Sequence, residues 1–178
     1  MSQNETDASN GLQTGDEESA FLLKRFEGRE AFAEWVRKSL QTAARQGWRE
    51  IILCDATFAD WPLGERAVID LLDAWAGKQR QMTILAQRYD DLAERHARFV
   101  RWRSTWSHIL DCRGLPSLEV KDFPSAIWSP SWVLQRLDLV CSRGIVSQEE
   151  QRRLVLREQL DECLGQSMPA FPATTLGL

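Results

Sequence analysis

Short apolar runs alternate with amphipathic segments along residues 21–113, and this alternation is the strongest constraint on the fold. Residues 50–55 (EIILCD) and 82–87 (MTILAQ) are apolar runs typical of strands that are covered on both faces. Residues 29–46 and 68–75 instead repeat their apolar side chains at helical spacing. The alternation predicts a single α/β domain with a mainly parallel, mixed sheet and right-handed crossovers.

Further elements extend this pattern at both ends. Residues 21–26 (FLLKRF) resemble a short first strand, and a third helix is expected from Asp90 or Asp91 to about Ser107. Residues 108–113 (HILDCR) and 117–121 (SLEVK) are the next predicted strands. The total is about five to seven strands flanked by helices.

The regular pattern weakens after residue 116. Pro124 and Pro130 are expected to break the chain, because proline cannot donate a hydrogen bond to a sheet. Residues 138–142 (DLVCS) and 144–147 (GIVS) are predicted to pair as a hairpin. This hairpin would give the sheet an antiparallel edge.

The sequence divides into an arm, a domain and a tail. Residues 1–20 contain five acidic and no basic side chains, so we expect an acidic, disordered arm and a remainder with a net charge of +1. The α/β domain is expected over residues 21–165, with a capping box at 147–150 starting a last helix that ends at Gly165. Residues 166–178 are predicted to be an extended tail.

The composition excludes several classes of protein. The chain has two histidines and lacks the H-E-x-x-H, G-x-S-x-G, G-x-G-x-x-G and P-loop motifs, so we expect no catalytic residue, metal or cofactor from those classes. No apolar stretch is long enough to cross a bilayer, and no secretory signal is visible. We expect a cytoplasmic protein with four buried, reduced thiols, at Cys54, Cys112, Cys141 and Cys163.

Residues 95–113 (RHARFVRWRSTWSHILDCR) form the most unusual segment, with five arginines, one acid and two tryptophans. Basic side chains mixed with aromatic ones can bind phosphates and stack on bases. The helical spacing nevertheless turns Arg98 and Arg101 away from the apolar face, which is typical of a solvated surface. The segment is therefore either a binding site or a solvated helix face.

His96 and Arg103 lie within the apolar stripe of the third helix and are expected to face the sheet. A buried arginine requires a partner, which Asp55, Asp60 or Asp111 could supply. Alternatively, Arg103 could bind a phosphate or carboxylate with its planar guanidinium group, together with His108 and Arg113. An internal ion pair and a ligand site both remain open.

The loop after residue 54 and a pair of tryptophans complete the candidates. Asp55 and Asp60 would border the crevice at the carboxyl ends of the strands, where open α/β sheets bind ligands. They could serve a metal or a proton transfer, or an acid there could cap the next helix. Trp128 and Trp132 flank Pro130 and would suit a protein-docking surface if they are exposed.

The layout of residues 21–146 resembles one half of a phospholipase D-like domain, including the strand and loop IILCDATFADW and the strand MTILAQ. Active members of that family carry an H-x-K motif. Here His96 is followed by Ala97 and Arg98, and His108 by Ile109 and Leu110. The resemblance therefore implies a non-catalytic relative.

Two other resemblances to known proteins imply less about function. Residues 51–87 also resemble the centre of an anti-sigma-antagonist domain, but Pro62, Leu63 and Gly64 stand where regulatory members carry a phosphorylatable serine or threonine. Residues 172–178 (PATTLGL) resemble the ends of small bacterial proteins, and that resemblance implies no function.

Two functional hypotheses follow. The leading one is a non-catalytic domain that binds another protein or a second copy of itself through its two ends and its tryptophans. The alternative is a phosphate-ligand or nucleic-acid binding protein that uses the arginine-rich segment. Nothing in the sequence indicates a membrane partner.

Overall fold

One eight-stranded mixed sheet forms the framework of this computed structural model, which describes residues 23–172. The strands are β1 (Leu23–Phe26), β2 (Glu50–Cys54), β3 (Gln81–Ala86), β4 (Leu110–Gly114), β5 (Ser125–Ser129), β6 (Trp132–Asp138), β7 (Arg143–Ser147) and β8 (Met168–Pro169). Their order is β1-β7-β6-β5-β2-β3-β4-β8. Only β2, β3 and β4 run parallel in the described chain, and all other neighbours are antiparallel. The predicted α/β class with a mixed sheet is confirmed, although the sheet has more strands than expected.

Five α-helices accompany the sheet between residues 23 and 172. They are α1 (Arg29–Gln46), α2 (Arg66–Trp75), α3 (Asp90–Arg95), α4 (Ala97–Thr105) and α5 (Glu150–Gln166). Short 3₁₀ turns occur at Pro62–Gly64, Ser107–Ile109 and Val120–Asp122. Within that part of the chain, no helix combines the length and the apolar character needed to cross a membrane.

Helices cover both faces of the central strands, which explains their continuous apolar runs. Side chains from α1, α2 and α4, such as Phe32, Leu72 and Phe99, share the larger core with alternate residues of the strands. The opposite face packs Ile52 and other residues of the central strands against α5, through Leu156, Leu160 and Cys163. Each central strand thus buries both sets of its alternating side chains.

The first helix agrees with its prediction at both ends. It covers Arg29–Gln46 and stops at Gly47, whose φ of 66° places it in the left-handed region. The backbone N–H of Gly47 donates to the carbonyl of Ala43, so it satisfies one of the last carbonyls of the helix.

The predicted third helix is interrupted. Its sequence forms α3 and α4, which meet at His96 with a backbone φ of −119° and ψ of 50°. The predicted strand at 117–121 is wrong, because this segment contains a 3₁₀ turn, Val120–Asp122, instead. The break allows the imidazole of His96 to turn inward from the junction.

The region after residue 116 contains two strands that the sequence pattern did not reveal, β5 and β6. Pro124 and Pro130 lie just outside β5 and do not break it. The predicted hairpin has the wrong first strand, because residues 139–142 form a turn and β7 pairs with β6 and β1. The predicted capping box is also displaced, since α5 begins at Glu150 and the Ser147 hydroxyl accepts the N–H of Glu149.

The structure describes part of the predicted tail and none of the predicted arm. Residues 1–20, the predicted acidic arm, lie outside the described residues, as do residues 173–178 of the tail. The described part of the tail places Met168–Pro169 beside β4 as the last strand of the sheet.

Candidate functional site

A pocket of about 300 Å³ opens at the carboxyl end of β2. The antiparallel neighbours place the start of β5 and the end of β6 at the same edge. Twelve residues of the described chain line the pocket: Arg29, Asp55, Ala56, Thr57, Ala59, Asp60, Arg95, Val120, Phe123, Ser125, Arg136 and Leu139. Three arginines and two aspartates therefore share one concave surface, as expected for a ligand site in an open α/β sheet.

Asp55 is fixed in the floor of this pocket. It follows β2 directly and is only 4% exposed. One carboxylate oxygen accepts the backbone N–H groups of Thr57 and Phe58, at 3.1 and 2.9 Å. The other accepts the hydroxyl of Ser125 at 2.6 Å and the Nη2 of Arg136 at 2.9 Å. These four contacts hold the carboxylate in one orientation.

Arg136 joins the two aspartates. Its Nη1 lies 2.5 Å from Asp60 Oδ2, and its Nε donates to the Ser125 hydroxyl at 3.1 Å. The guanidinium carbon lies 4.2 Å from the centre of the Phe32 ring, which covers one face of the group. Two carboxylates thus surround one buried guanidinium, so the floor carries a net charge of about −1 and no unpaired cation.

The mouth of the pocket is cationic. Arg29 is the exposed first residue of α1, and within residues 23–172 no hydrogen bond or ion pair engages its guanidinium. Arg95 ends α3 and lies 3.5 Å from Asp91 in a surface pair. Such exposed pairs contribute little energy, so Arg95 remains able to bind a ligand. The backbone N–H groups at the start of α1 also lack a side-chain cap, which adds positive potential.

His96 does not line the pocket, but it contacts the loop that does. Its Nε2 lies 2.8 Å from the carbonyl oxygen of Phe58, and the residue is 5% exposed. Because a carbonyl can only accept, Nε2 carries the proton. Phe58 has a φ of 58°, a region that costs energy for a bulky residue. The contacts from His96 and Asp55 hold the loop in this conformation.

Arg103 is buried, as predicted, but its partners differ from the expected ones. Its Nε lies 3.2 Å from the sulfur of Cys112, and its Nη2 donates to the carbonyl of Phe171. Asp55 and Asp60 instead pair with Arg136. The predicted internal pair between Arg103 and an acid is therefore wrong.

Arg113 and His108 also lie away from the pocket. Arg113 donates to the hydroxyl and carbonyl oxygens of Ser167, at 3.0 and 2.8 Å. His108 is exposed beside the start of β4, at the opposite edge of the sheet, in a smaller cleft with Arg80 and Asp111. The candidates Asp55, Arg103 and His108 therefore do not form one site.

The arginine-rich segment divides between surface and interior. Arg98 and Arg101 are exposed on α4, as their helical spacing predicts. Arg95, at the end of α3, is the residue of this segment that lines the pocket. The segment is thus not a continuous binding strip.

Trp128 and Trp132 are buried, at 8% and 4% exposure, so they do not offer the exposed docking surface that was expected. The indole N–H of Trp128 donates to the carbonyl of Arg153, and that of Trp132 to the hydroxyl of Ser39. Both rings connect the sheet to a helix. Their position is that of core residues with satisfied polar atoms.

The sequence reasoning missed Arg29 and Arg136. Arg136 stands in the segment WVLQRLD, whose alternation of inward and outward residues predicts an inward arginine once the strand is recognised. The sequence indicates Arg29 less clearly. Its one unusual feature is that it is a cation in the first turn of a helix, where acidic residues are favoured.

Among the described residues, no group of three or more side chains is placed to ligate a metal ion. Burial raises the pKa of the Cys54 and Cys112 thiols, which keeps both protonated near neutral pH. Cys141 is the exposed cysteine, contrary to the prediction that all four are buried.

Comparisons with known proteins identify the fold. No protein-family model matches the chain, and no curated protein does so. Among solved structures, TrmBL2, an archaeal chromatin protein, is similar with a TM-score of 0.62 and 14% identity over 89% of this chain. NucT from Helicobacter pylori is similar with a TM-score of 0.54 and 7% identity, over 83% of this chain and 98% of its own length. The chain spans 57% of the length of TrmBL2, and at these identities the likeness shows the fold alone.

Proposed function

We propose that this protein binds a phosphate-bearing ligand, a nucleic-acid strand or a nucleotide, at the mouth of the pocket between Arg29 and Arg95. The observation that carries the proposal is the convergence of these two cations on one pocket, with Arg29 engaged by no other described residue. A guanidinium group binds phosphate through two parallel hydrogen bonds, so two of them can hold one phosphate group firmly.

The floor of the pocket makes this ligand site rigid. Arg136 pairs with both Asp55 and Asp60, so the floor keeps a net charge of about −1 and a phosphate would bind at the mouth arginines instead. The ligand therefore meets the mouth arginines without having to displace an internal ion pair.

Arg29 also opposes the stability of its own helix. A cation in the first turn faces the positive end of the helix dipole, which costs about 0.3–1 kcal/mol. A residue that reduces stability and lacks an internal partner is better explained by a ligand than by folding. The same positive potential would strengthen the binding of an anion at this helix end.

The proposal describes binding without catalysis. Among the described residues that line the pocket there is no histidine, lysine or cysteine, and both aspartates are held by Arg136. This agrees with a phospholipase D-like relative that lacks the H-x-K motif. The fold shared with TrmBL2, a chromatin protein with a novel mode of DNA binding, supports a nucleic acid as the first ligand to test.

The test is a fluorescence titration of the full chain with short labelled single-stranded DNA, RNA and a nucleoside triphosphate, at about 50 and 200 mM salt. We expect binding that weakens as salt increases. Replacing both mouth residues, Arg29→Ala with Arg95→Ala, should weaken it about tenfold or more, because charge-assisted hydrogen bonds contribute about 1.5–3 kcal/mol each.

Arg101→Ala is the matched control, since Arg101 is an exposed arginine of α4 that does not line the pocket. It should bind as the unmodified chain does. The urea unfolding midpoint of Arg29→Ala should stay unchanged or rise, which separates lost binding from lost folding. Absence of salt-dependent binding, or equal losses in the control and the pocket variant, would refute the proposal.

A further inference from the structure

The outer edge of β4, with Tyr89 and Arg103 beside it, holds the chain's own tail, and we call this surface the β4 cleft. Met168 and Pro169 pair with Gly114 and Arg113, and the N–H of Ala170 donates to the Cys112 carbonyl at 2.9 Å. The tail thus extends the sheet by one short strand. Short extended peptides bind to sheet edges in the same way in many recognition domains.

An aromatic clamp closes the end of this cleft. The Phe171 ring stacks on Tyr89, with ring centres 4.8 Å apart and planes inclined by 5°. The Arg103 guanidinium lies over the same ring at 4.6 Å. Tyr89 is fixed in turn, because its hydroxyl donates one proton and lies 2.9 Å from the carbonyls of both Ile84 and Arg113.

Arg103 is the unusual member of the clamp. It is only 6% exposed, and within residues 23–172 no carboxylate lies within ion-pair distance of it. Its polar contacts are a thiol sulfur and the neutral carbonyl of Phe171. A buried guanidinium without a counter-charge is costly, and a carboxylate would satisfy it better than a carbonyl.

Gly114 leaves room for the side chain of Ala170. A Cβ at this position would lie 3.0 Å from the Cβ of Ala170, closer than side chains normally approach. The glycine therefore allows a segment to lie flat against the strand.

Met168 and Pro169 contribute little to holding the tail in place. Met168 is 57% exposed, and Pro169 has no N–H to donate to the sheet. A competing peptide would have to displace the two-residue strand, the hydrogen bond from Ala170 to Cys112, and the contacts of the Phe171 ring and carbonyl.

We propose that the β4 cleft is a docking site for the C-terminal end of a partner protein, an extended peptide whose last residue is aromatic. Its main chain takes the place of residues 168–170, its ring that of Phe171, and its terminal carboxylate pairs with Arg103. The seated tail occupies the cleft until such a partner arrives. This site is separate from the phosphate pocket, so either can fail alone.

The probe is a fluorescein-labelled pentapeptide with the sequence of residues 167–171 (SMPAF), prepared with a free carboxyl end or as an amide. It is titrated into the full chain and into Phe171→Ala, which loosens the seated tail and leaves the cleft open. We expect the free acid to bind Phe171→Ala about tenfold more tightly than the amide does, and to bind the unmodified chain more weakly.

Two controls define the site. Leu137→Ala changes an exposed side chain of β6, away from the β4 edge, and should behave as the unmodified chain. Phe171→Ala combined with Gly114→Ala also loosens the tail, but its added Cβ would lie 3.0 Å from the Cβ of the peptide's alanine, so it should bind both peptides more weakly than Phe171→Ala does. Equal binding of acid and amide, no binding to Phe171→Ala, or concentration-dependent self-association of that variant would overturn the proposal.

A measurement on the unmodified sequence covers the case in which Phe171→Ala does not fold. The full chain is prepared with 4-fluorophenylalanine, and the fluorine resonance of residue 171 is followed while unlabelled peptide is added. The free acid should move this resonance to its solvent-exposed position, and the amide should move it about tenfold less readily. A resonance that neither peptide moves would contradict the proposal.

Discussion

The guanidinium of Arg136 lies 2.9 Å from the carboxylate of Asp55, and this contact joins the end of β6 to the end of β2. The two side chains are among the most buried charges of the described chain, at 4% and 6% exposure. Because β5 lies between β2 and β6 in the sheet, Arg136 reaches across the first residue of β5, Ser125, and bonds to it as well. The contact therefore fixes three strands at the pocket.

Replacing Asp55 should therefore destabilise the fold strongly. Asp55→Ala leaves Arg136 buried with Asp60 as its remaining acid and frees the N–H groups of Thr57 and Phe58. We expect a loss of about 3–5 kcal/mol in the free energy of unfolding, measured by urea denaturation. Asp111→Ala, which removes an exposed carboxylate from β4, is the control and should cost less than about 0.5 kcal/mol. A comparable loss in both variants would contradict the buried network.

Gly144 is the position where the sheet is least tolerant of a side chain. It pairs with Phe26 of β1. A Cβ at this position would overlap the Gln135 carbonyl and the Phe26 ring. Gly144→Ala should cost about 3 kcal/mol or more by thermal or urea unfolding. Gly165→Ala meets no atom within 4 Å in α5 and should instead stabilise the helix by about 0.5 kcal/mol. If both substitutions changed the free energy of unfolding in the same direction, this description of the packing around Gly144 would be wrong.

The sequence predicted the elements that depend on local periodicity. The helix at Arg29–Gln46 and the strands at 50–54 and 81–86 carry long apolar patterns, and the structure places them as expected. The strands β5 and β6 were missed because Pro124 and Pro130 are also turn residues, and only tertiary pairing shows that they flank β5. Periodicity shows which residues face inward, but it does not show which strands become neighbours.

The residues of the candidate site could be predicted only where their position depends on a single element and not on which strands become neighbours. Asp55 and Asp60 were placed correctly at the carboxyl end of β2, because that position depends on one strand and its loop. Their partner Arg136 lies 81 residues from Asp55 in the chain and reaches it only through the order β6-β5-β2. Arg103 was correctly expected to be buried, yet its partner, the Phe171 carbonyl, belongs to a tail that has no periodic pattern.

Stability should depend on pH in the alkaline range through the buried thiols. Burial raises the folded-state pKa of Cys54 and Cys112 above the ordinary value of 9.0. Above pH 9 the unfolded chain releases thiol protons that the folded chain still holds, so the free energy of unfolding falls as pH rises. Below that range the thiols contribute no pH dependence.

Urea denaturation at several pH values between neutral and alkaline measures this effect. Cys54→Ala removes one of the buried thiols and should show a shallower decrease above pH 9 than the unmodified chain. An identical pH dependence in both proteins would show that the Cys54 thiol is not protected from ionisation.

An NMR titration of the full chain maps the phosphate site residue by residue. Amide resonances of ¹⁵N-labelled protein are assigned and followed while short single-stranded DNA is added. We expect the affected amides to cluster around the pocket, at Arg29, Thr57, Ala59, Arg95 and Ser125. Changes confined to the exposed face of α4 around Arg98 and Arg101, or no changes at all, would contradict the proposal.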